Sequence, residues 1–135
     1  MKMLKKRFVR SFLQGVVFSP LFLALTLTVY VSAGDNFERC IEESGGGTAV
    51  VLLCLEKELK FQEKNLESEF KKALKMLSSK RKKRLLKIQK AWRHYRDEKC
   101  AFFNHEYSGT GGREDELDCL IKETKRRIGE LKELF

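Results

Sequence analysis

The segment that decides the fold is Gln89-Lys-Ala-Trp92-Arg-His-Tyr95-Arg96-Asp97-Glu98-Lys-Cys100. It contains the only tryptophan of the chain and ends at one of four cysteines. Apolar residues recur through it at helical spacing, which predicts one apolar stripe on an α-helix. That stripe comprises Leu85, Ile88, Trp92 and Tyr95. Arg96 follows Trp92 by four positions, so we expect its guanidinium to lie against the indole ring while it reaches an acceptor on another helix.

The first 33 residues are typical of a secretory signal peptide. Residues 1–10 carry five basic residues and no acid, residues 18–30 are mostly apolar, and Val31-Ser32-Ala33 offers small residues before a cut. We predict cleavage after Ala33, which leaves one domain, 34–135, in the periplasm or outside the cell, with no transmembrane segment. The alternative is an uncleaved membrane anchor. Pro20 argues against it because it interrupts the apolar segment, and the small residues at 31–33 favour cleavage.

Removal of this leader changes the charge of the protein. The whole chain has a formal net charge of +9, but the leader contains five of its 28 basic residues and none of its 19 acids. The mature domain therefore has 23 basic residues against 19 acids, a net charge of +4. An exported protein rarely meets nucleic acid, so we expect no nucleic-acid partner.

All four cysteines follow the predicted cut, at positions Cys40, Cys54, Cys100 and Cys119. An even number in a small exported domain indicates two disulfides, for which three pairings exist. We predict the two local pairings, Cys40–Cys54 and Cys100–Cys119. A disulfide that closes a loop of this length stabilises the fold by about 3 kcal/mol. The alternative is a zinc site, but the chain has no CxxC pair and its histidines are not spaced with the cysteines. We expect no metal and no cofactor.

The spacing of apolar residues predicts an all-α fold for the mature domain. A short helix over 35–43 should end at the glycines 45–47, and Thr48 is the expected N-cap of a long amphipathic helix. Glu58 should lie on its wet side, and Gln62 fills the one gap in its apolar stripe. That stripe comprises Leu52, Leu55, Leu59, Leu66, Phe70, Ala73 and Leu77.

Two further long helices should follow a joint at residues 78–79. The central helix is expected to run to about His105 and to bury Phe102 or Phe103. A flexible loop over 107–112 precedes a last helix that opens at the acids 114–116. Its stripe comprises Leu117, Ile121, Thr124, Ile128, Leu131 and Phe135. The prediction is a small disulfide-stapled bundle of about three long helices plus a short N-terminal helix, in which Arg96 or Gln89 bonds the Thr124 hydroxyl.

The sequence does not indicate an enzyme. It has no glycine-rich phosphate loop after a strand and no evident pair of nucleophile and base. Asp97 and Glu98 point about 100° apart on a helix, which suits salt bridges better than acid–base catalysis. His94 is interpreted as a surface residue.

In order along the chain, these motifs resemble the LprI-type lysozyme-inhibitor domain family of small exported helical proteins. The residues that carry the resemblance are Cys40, Cys54-Leu55, Asn65-Leu66, Phe70, Gln89-x-x-Trp92-x-x-Tyr95-Arg96-Asp97-x-x-Cys100, Cys119 and Thr124-x-x-Arg127-x-x-x-Leu131. The resemblance covers 38–134. Phe70 stands where the family usually has tyrosine, and no lipid-attachment cysteine is found. The resemblance implies that one structural motif fixes the fold, formed by Gln89, Trp92, Tyr95, Arg96, Asp97, Thr124 and Arg127.

The resemblance also implies a protein-binding role, with lysozyme or another envelope protein as the partner. A cationic lysozyme favours an acidic surface, and such a surface is predicted around the loop that Cys100–Cys119 would pin. The candidate partner-binding residues are Glu106, Tyr107, Arg113, Glu114, Asp115, Glu116 and Asp118.

The alternative function is an envelope structural or adaptor module without inhibitory activity. It would use the basic run over 80–90 on an anionic surface. This run comprises Lys80-Arg81-Lys82-Lys83-Arg84, Lys87 and Lys90, and it is otherwise interpreted as a solvated helix face.

Overall fold

The computed structural model describes residues 33–134, with side chains from residue 36 onward. Apart from Ala33, the predicted signal peptide lies outside the described residues, as does Phe135. The predicted cut after Ala33 falls at the first residue of a helix. Within the described part, no helix combines the length and the apolar character that crossing a bilayer requires.

Four helices make up this part of the chain. They are α1 (Ala33–Glu43), α2 (Thr48–Met76), α3 (Ser79–Ala101) and α4 (Gly109–Lys132). No strand occurs between residues 33 and 134. The predicted all-α fold, with three long helices and a short N-terminal one, is therefore confirmed.

The helix boundaries differ from the prediction in two places. Thr48 is the first residue of α2, and Gly47 precedes it as an N-cap without a side-chain hydrogen bond, so the predicted N-cap is wrong. The central helix ends at Ala101, and α4 already begins at Gly109. The predicted loop over 107–112 is thus largely the first turn of α4, and the acids 114–116 lie one turn further along.

The three long helices run up, down and up, so α2 and α4 are parallel and α3 is antiparallel to both. Side chains from all three fill the larger core, which comprises Leu66, Phe70, Ala73, Leu77, Leu85, Ile128 and Leu131. A smaller core nearer the start of α2 joins Leu55, Leu117 and Ile121, and Phe37 of α1 packs against it. Full burial of each large aliphatic side chain stabilises the fold by about 1.5–3 kcal/mol.

Both predicted disulfides are present. Cys40–Cys54 joins α1 to α2 with 5.8 Å between the Cα atoms, and Cys100–Cys119 joins α3 to α4 with 5.5 Å. Both lie at the end of the bundle where α2 and α4 start and α3 finishes. They therefore stabilise the end that carries the α3–α4 connection.

The predicted apolar stripe of α3 is wrong for two of its four members. Ile88 is 47% exposed and Tyr95 is 54% exposed. The buried residues of α3 are instead Leu85, Gln89, Arg96 and Cys100. Polar side chains therefore occupy half of this buried face, and their hydrogen bonds decide how α3 packs on α4.

Candidate partner-binding site

Arg96 is a buried cation, and each of its three nitrogen atoms reaches at least one acceptor. Its Nη1 donates to the Thr124 hydroxyl at 3.0 Å, and that hydroxyl donates to the Leu120 carbonyl at 2.7 Å. Its Nε donates to Asp97 at 2.9 Å, and Nη2 lies 3.3 Å from Glu63. Two carboxylates and one hydroxyl thus compensate the desolvation of the guanidinium. The group links α3 to both neighbouring helices.

Trp92 lies beside two guanidinium groups. The Cζ atoms of Arg96 and Arg127 are 5.2 and 5.7 Å from the centroid of its ring. Arg127 also donates from Nε to Gln89 Oε1 at 3.0 Å and pairs with Glu130 at 2.8 Å. Cation–π contacts of partly buried groups contribute about 1 kcal/mol each, so the ring and the two arginines hold α3 against α4.

These contacts bring together six of the seven predicted structural-motif residues. Tyr95 is the exception, because it lies exposed on the outer face of α3. Three buried donors of this cluster, Gln89 Nε2, Trp92 Nε1 and Arg127 Nη2, have no acceptor among the described residues. Most of the cluster is buried, and Asp97 is its exposed member.

A second buried polar cluster is centred on Glu58, so the prediction that Glu58 lies on the wet side of α2 is wrong. Glu58 is buried, accepts a hydrogen bond from Gln62 at 2.9 Å and pairs with Lys125 of α4 at 2.8 Å. A buried acid facing a lysine on the parallel helix fixes the register between α2 and α4. The sequence signal for this cluster is Gln62, a polar residue on the apolar stripe four positions after Glu58.

Residues 102–118 form the exposed end of the bundle, which we call the tip. It comprises the α3–α4 connection and the first turns of α4. Phe102 is 82% exposed, Tyr107 is 85% exposed, and Phe103 is also exposed. The prediction that α3 buries Phe102 or Phe103 is wrong, because the helix ends at Ala101 before either ring can join its buried face. Three large aromatic side chains therefore face solvent at one end of the molecule.

Hydrogen bonds within the tip connect the α3–α4 connection to the first turns of α4. Asn104 donates to Glu116 at 2.8 Å, and Arg113 donates to the same carboxylate at 2.9 Å. The Ser108 hydroxyl donates to the His105 carbonyl at 2.7 Å. With the Cys100–Cys119 disulfide at its base, the tip is preorganised.

The predicted partner-binding residues divide into two groups in the structure. Arg113 and Glu116 pair with each other, and Asp118 pairs with Lys122 one turn along α4. Glu106, Tyr107 and Asp115 are exposed, Glu114 is half-buried, and none of these three acids forms an ion pair within 33–134. The outward-facing acids lie on the same short segment as the exposed aromatic rings.

Charge is separated along the length of the bundle. The tip contains five acids against one arginine, a net charge of −4, whereas residues 70–96 contain twelve Lys and Arg and no acid. Next to the tip, Lys99 donates to Glu123 at 2.7 Å, and this hydrogen bond lowers the pKa of Glu123 and raises that of Lys99. The tip is therefore a negative surface; residues 34–69 are acidic as well, with nine acids against four basic residues, and the positive charge lies mainly on residues 70–96.

The described residues contain no group of three His, Cys, Asp or Glu side chains that could hold a metal ion. All four cysteines are in disulfides.

A family model described as lysozyme inhibitor LprI matches residues 40–131, which is more than half of the chain. No curated protein and no solved structure matched. The matched range begins at the first cysteine and includes both disulfides, the Trp92 cluster and the whole tip.

Proposed function

We propose that this chain, which belongs to the LprI lysozyme-inhibitor family, is an exported protein-binding module. In this proposal it inhibits a lysozyme through its tip. In this proposal the protein is not an enzyme, and its partner is lysozyme or a similar envelope protein. Its place is the periplasm or the exterior of the cell, because two disulfides in so small a domain persist in an oxidising compartment.

The observation that carries the proposal is the exposure of Phe102 and Tyr107 on a disulfide-pinned connection. Large aromatic side chains are costly to leave in water and are enriched at the centres of protein interfaces. The tip is already ordered by its own hydrogen bonds and by Cys100–Cys119, so little conformational entropy is lost when it binds. Such a segment is suited to entering a concave site.

Electrostatics support the same surface. Glycosidases of the lysozyme type cleave saccharides with paired carboxylates in a cleft, and c-type lysozymes are cationic proteins. The tip carries net charge −4 although the predicted mature domain is +4. Glu106 and Asp115 are exposed on it, so they can meet basic side chains around such a cleft. The opposite, basic end would be repelled, which fixes the orientation of the complex.

The proposal is tested by titrating lysis of bacterial cells by a c-type lysozyme with the purified protein. We compare wild type with two variants that each lose one disulfide, C100S/C119S and C40S/C54S. Circular dichroism checks that both variants are folded. Inhibition should then fall strongly in C100S/C119S, which frees the tip, and remain in C40S/C54S. Reductant should abolish inhibition by wild type.

An unchanged lysis rate at about micromolar wild-type protein would contradict the proposal. Equal inhibition by wild type and a folded C100S/C119S variant would also contradict the role of the pinned tip.

A further inference from the structure

The end of the bundle opposite the tip is strongly basic. Seven Lys and Arg side chains lie on the first three turns of α3, at Lys80, Arg81, Lys82, Lys83, Arg84, Lys87 and Lys90. None of them forms an ion pair among the described residues. We call residues 76–90 together with Leu134 the basic end. Its charge is not used to hold the fold together.

Apolar side chains are exposed among these cations. Met76 is 70% exposed, and Ile88 and Leu134 are also exposed. Arg81, Arg84, Ile88 and Leu134 line a shallow groove of about 170 Å³ whose floor includes Leu77 and Leu85. A soluble polyanion would gain nothing from these apolar groups, whereas a lipid bilayer offers both an anionic headgroup layer and an apolar interior.

We infer that the basic end is a docking surface for an anionic phospholipid bilayer, with Arg81, Arg84 and Lys87 in the headgroup layer and Met76 and Ile88 at its apolar boundary. The charge complementarity selects the occupant, because each Lys or Arg near an anionic membrane contributes about 1 kcal/mol of binding. The basic end and the tip are separated by the length of α3, 23 residues or about 35 Å. A docked molecule therefore holds its tip away from the membrane, in reach of a soluble partner.

The test is sedimentation of the protein, in the form in which the cell exports it, with vesicles of phosphatidylcholine alone or with phosphatidylglycerol. We expect binding to the anionic vesicles only, and loss of it as salt rises. The variant R81Q/R84Q/K87Q should bind roughly tenfold to a hundredfold more weakly. Its matched control, K57Q/K60Q/K64Q, removes three exposed charges from the other half of the molecule and should bind as wild type does.

The apolar part is tested by M76S/I88S, with the exposed Leu53→Ser on α2 as its control. M76S/I88S should weaken binding to anionic vesicles severalfold and leave retention on a heparin column unchanged. Equal binding to both kinds of vesicle, equal losses in the two charge variants, or full vesicle binding by M76S/I88S would each overturn the inference. Retention on heparin without vesicle binding would identify a soluble polyanion instead. These results do not depend on whether the tip inhibits lysozyme.

Discussion

The Nη1 atom of Arg96 donates a hydrogen bond of 3.0 Å to the hydroxyl of Thr124, across the interface between α3 and α4. Both residues are buried, with Thr124 fully so. The buried guanidinium of Arg96 cannot replace a lost acceptor with water, so the loss of any acceptor should destabilise the fold. This contact explains a threonine on an otherwise apolar stripe of α4.

The first prediction concerns that hydroxyl. Thr124→Val keeps the shape of the side chain but removes an acceptor of a buried cation, and it should lower the free energy of unfolding by about 1–3 kcal/mol. Thr124→Ser keeps the hydroxyl and loses one methyl group, so it should cost less than the valine variant. Urea denaturation of both variants checks the order. A valine variant as stable as wild type would show that Arg96 does not need this acceptor.

The second prediction concerns the buried carboxylate of Glu58, which pairs with Lys125. Lys125→Met should lower the free energy of unfolding by about 1–3 kcal/mol, because Glu58 then keeps only Gln62 as a donor. Lys122→Met, one turn away, breaks an exposed pair with Asp118 and should leave stability unchanged. The same denaturation measurement compares them. Equal effects would mean that Glu58 does not depend on its lysine.

The third prediction concerns two adjacent glycines in the first turn of α4, within the tip. A Cβ at Gly112 would collide with the Ser108 side chain and lie 2.9 Å from the Phe103 carbonyl, whereas one at Gly111 would meet nothing within 4 Å. Gly112→Ala should therefore lower the free energy of unfolding by about 1–3 kcal/mol, and with it the melting temperature. Gly111→Ala should raise it by up to about 1 kcal/mol, because alanine favours the helix. Similar melting temperatures would contradict this packing.

The fourth prediction concerns acid stability. The hydrogen bond from Lys99 holds the pKa of Glu123 below its ordinary value of 4.5. Since the folded pKa is lower than the unfolded one, this carboxylate stabilises the fold above pH 4.5, and its contribution is lost as the pH falls through the folded pKa. Stability measured from about pH 7 to about pH 3 should decline less steeply in Glu123→Gln than in wild type. The control Glu133→Gln, an exposed carboxylate, should follow wild type.

Much of the architecture could be predicted from the sequence, because it depends on periodicity and on local cysteine pairs. The stripe of α2 and the spacing along α4 place most of the core, and both disulfides close loops of fewer than 20 residues. The match of a family model over 40–131 agrees with the motif around Trp92.

What could not be predicted depends on tertiary contacts. Ile88 and Tyr95 fit the apolar period of α3, yet Gln89 and Arg96 are buried instead, because partners on α4 accept and donate their hydrogen bonds. Glu58 is charged, which predicts exposure to solvent, but Lys125 on the parallel helix compensates its burial. The apolar period predicts which face of a single helix is buried. It cannot predict the burial of a polar side chain whose hydrogen-bond partner lies on another helix.

The exposure of the tip aromatics was also unpredictable from composition. Phe102 and Phe103 are apolar and follow a core helix, so burial was the natural expectation. The end of α3 at Ala101 removes them from the core. Apolar residues that the fold leaves in water are the strongest indication of an interaction site in this molecule.

The most direct test of the central claim, that the tip binds lysozyme, is calorimetric measurement of the Kd for a c-type lysozyme with Tyr107→Ser and Tyr95→Ser. Each variant removes one exposed tyrosine, from the tip and from the outer face of α3 respectively. We predict that Tyr107→Ser weakens binding by about 2 kcal/mol or more, and that Tyr95→Ser binds as wild type does. Equal Kd values for the two variants, or no heat of binding with wild type, would contradict the claim.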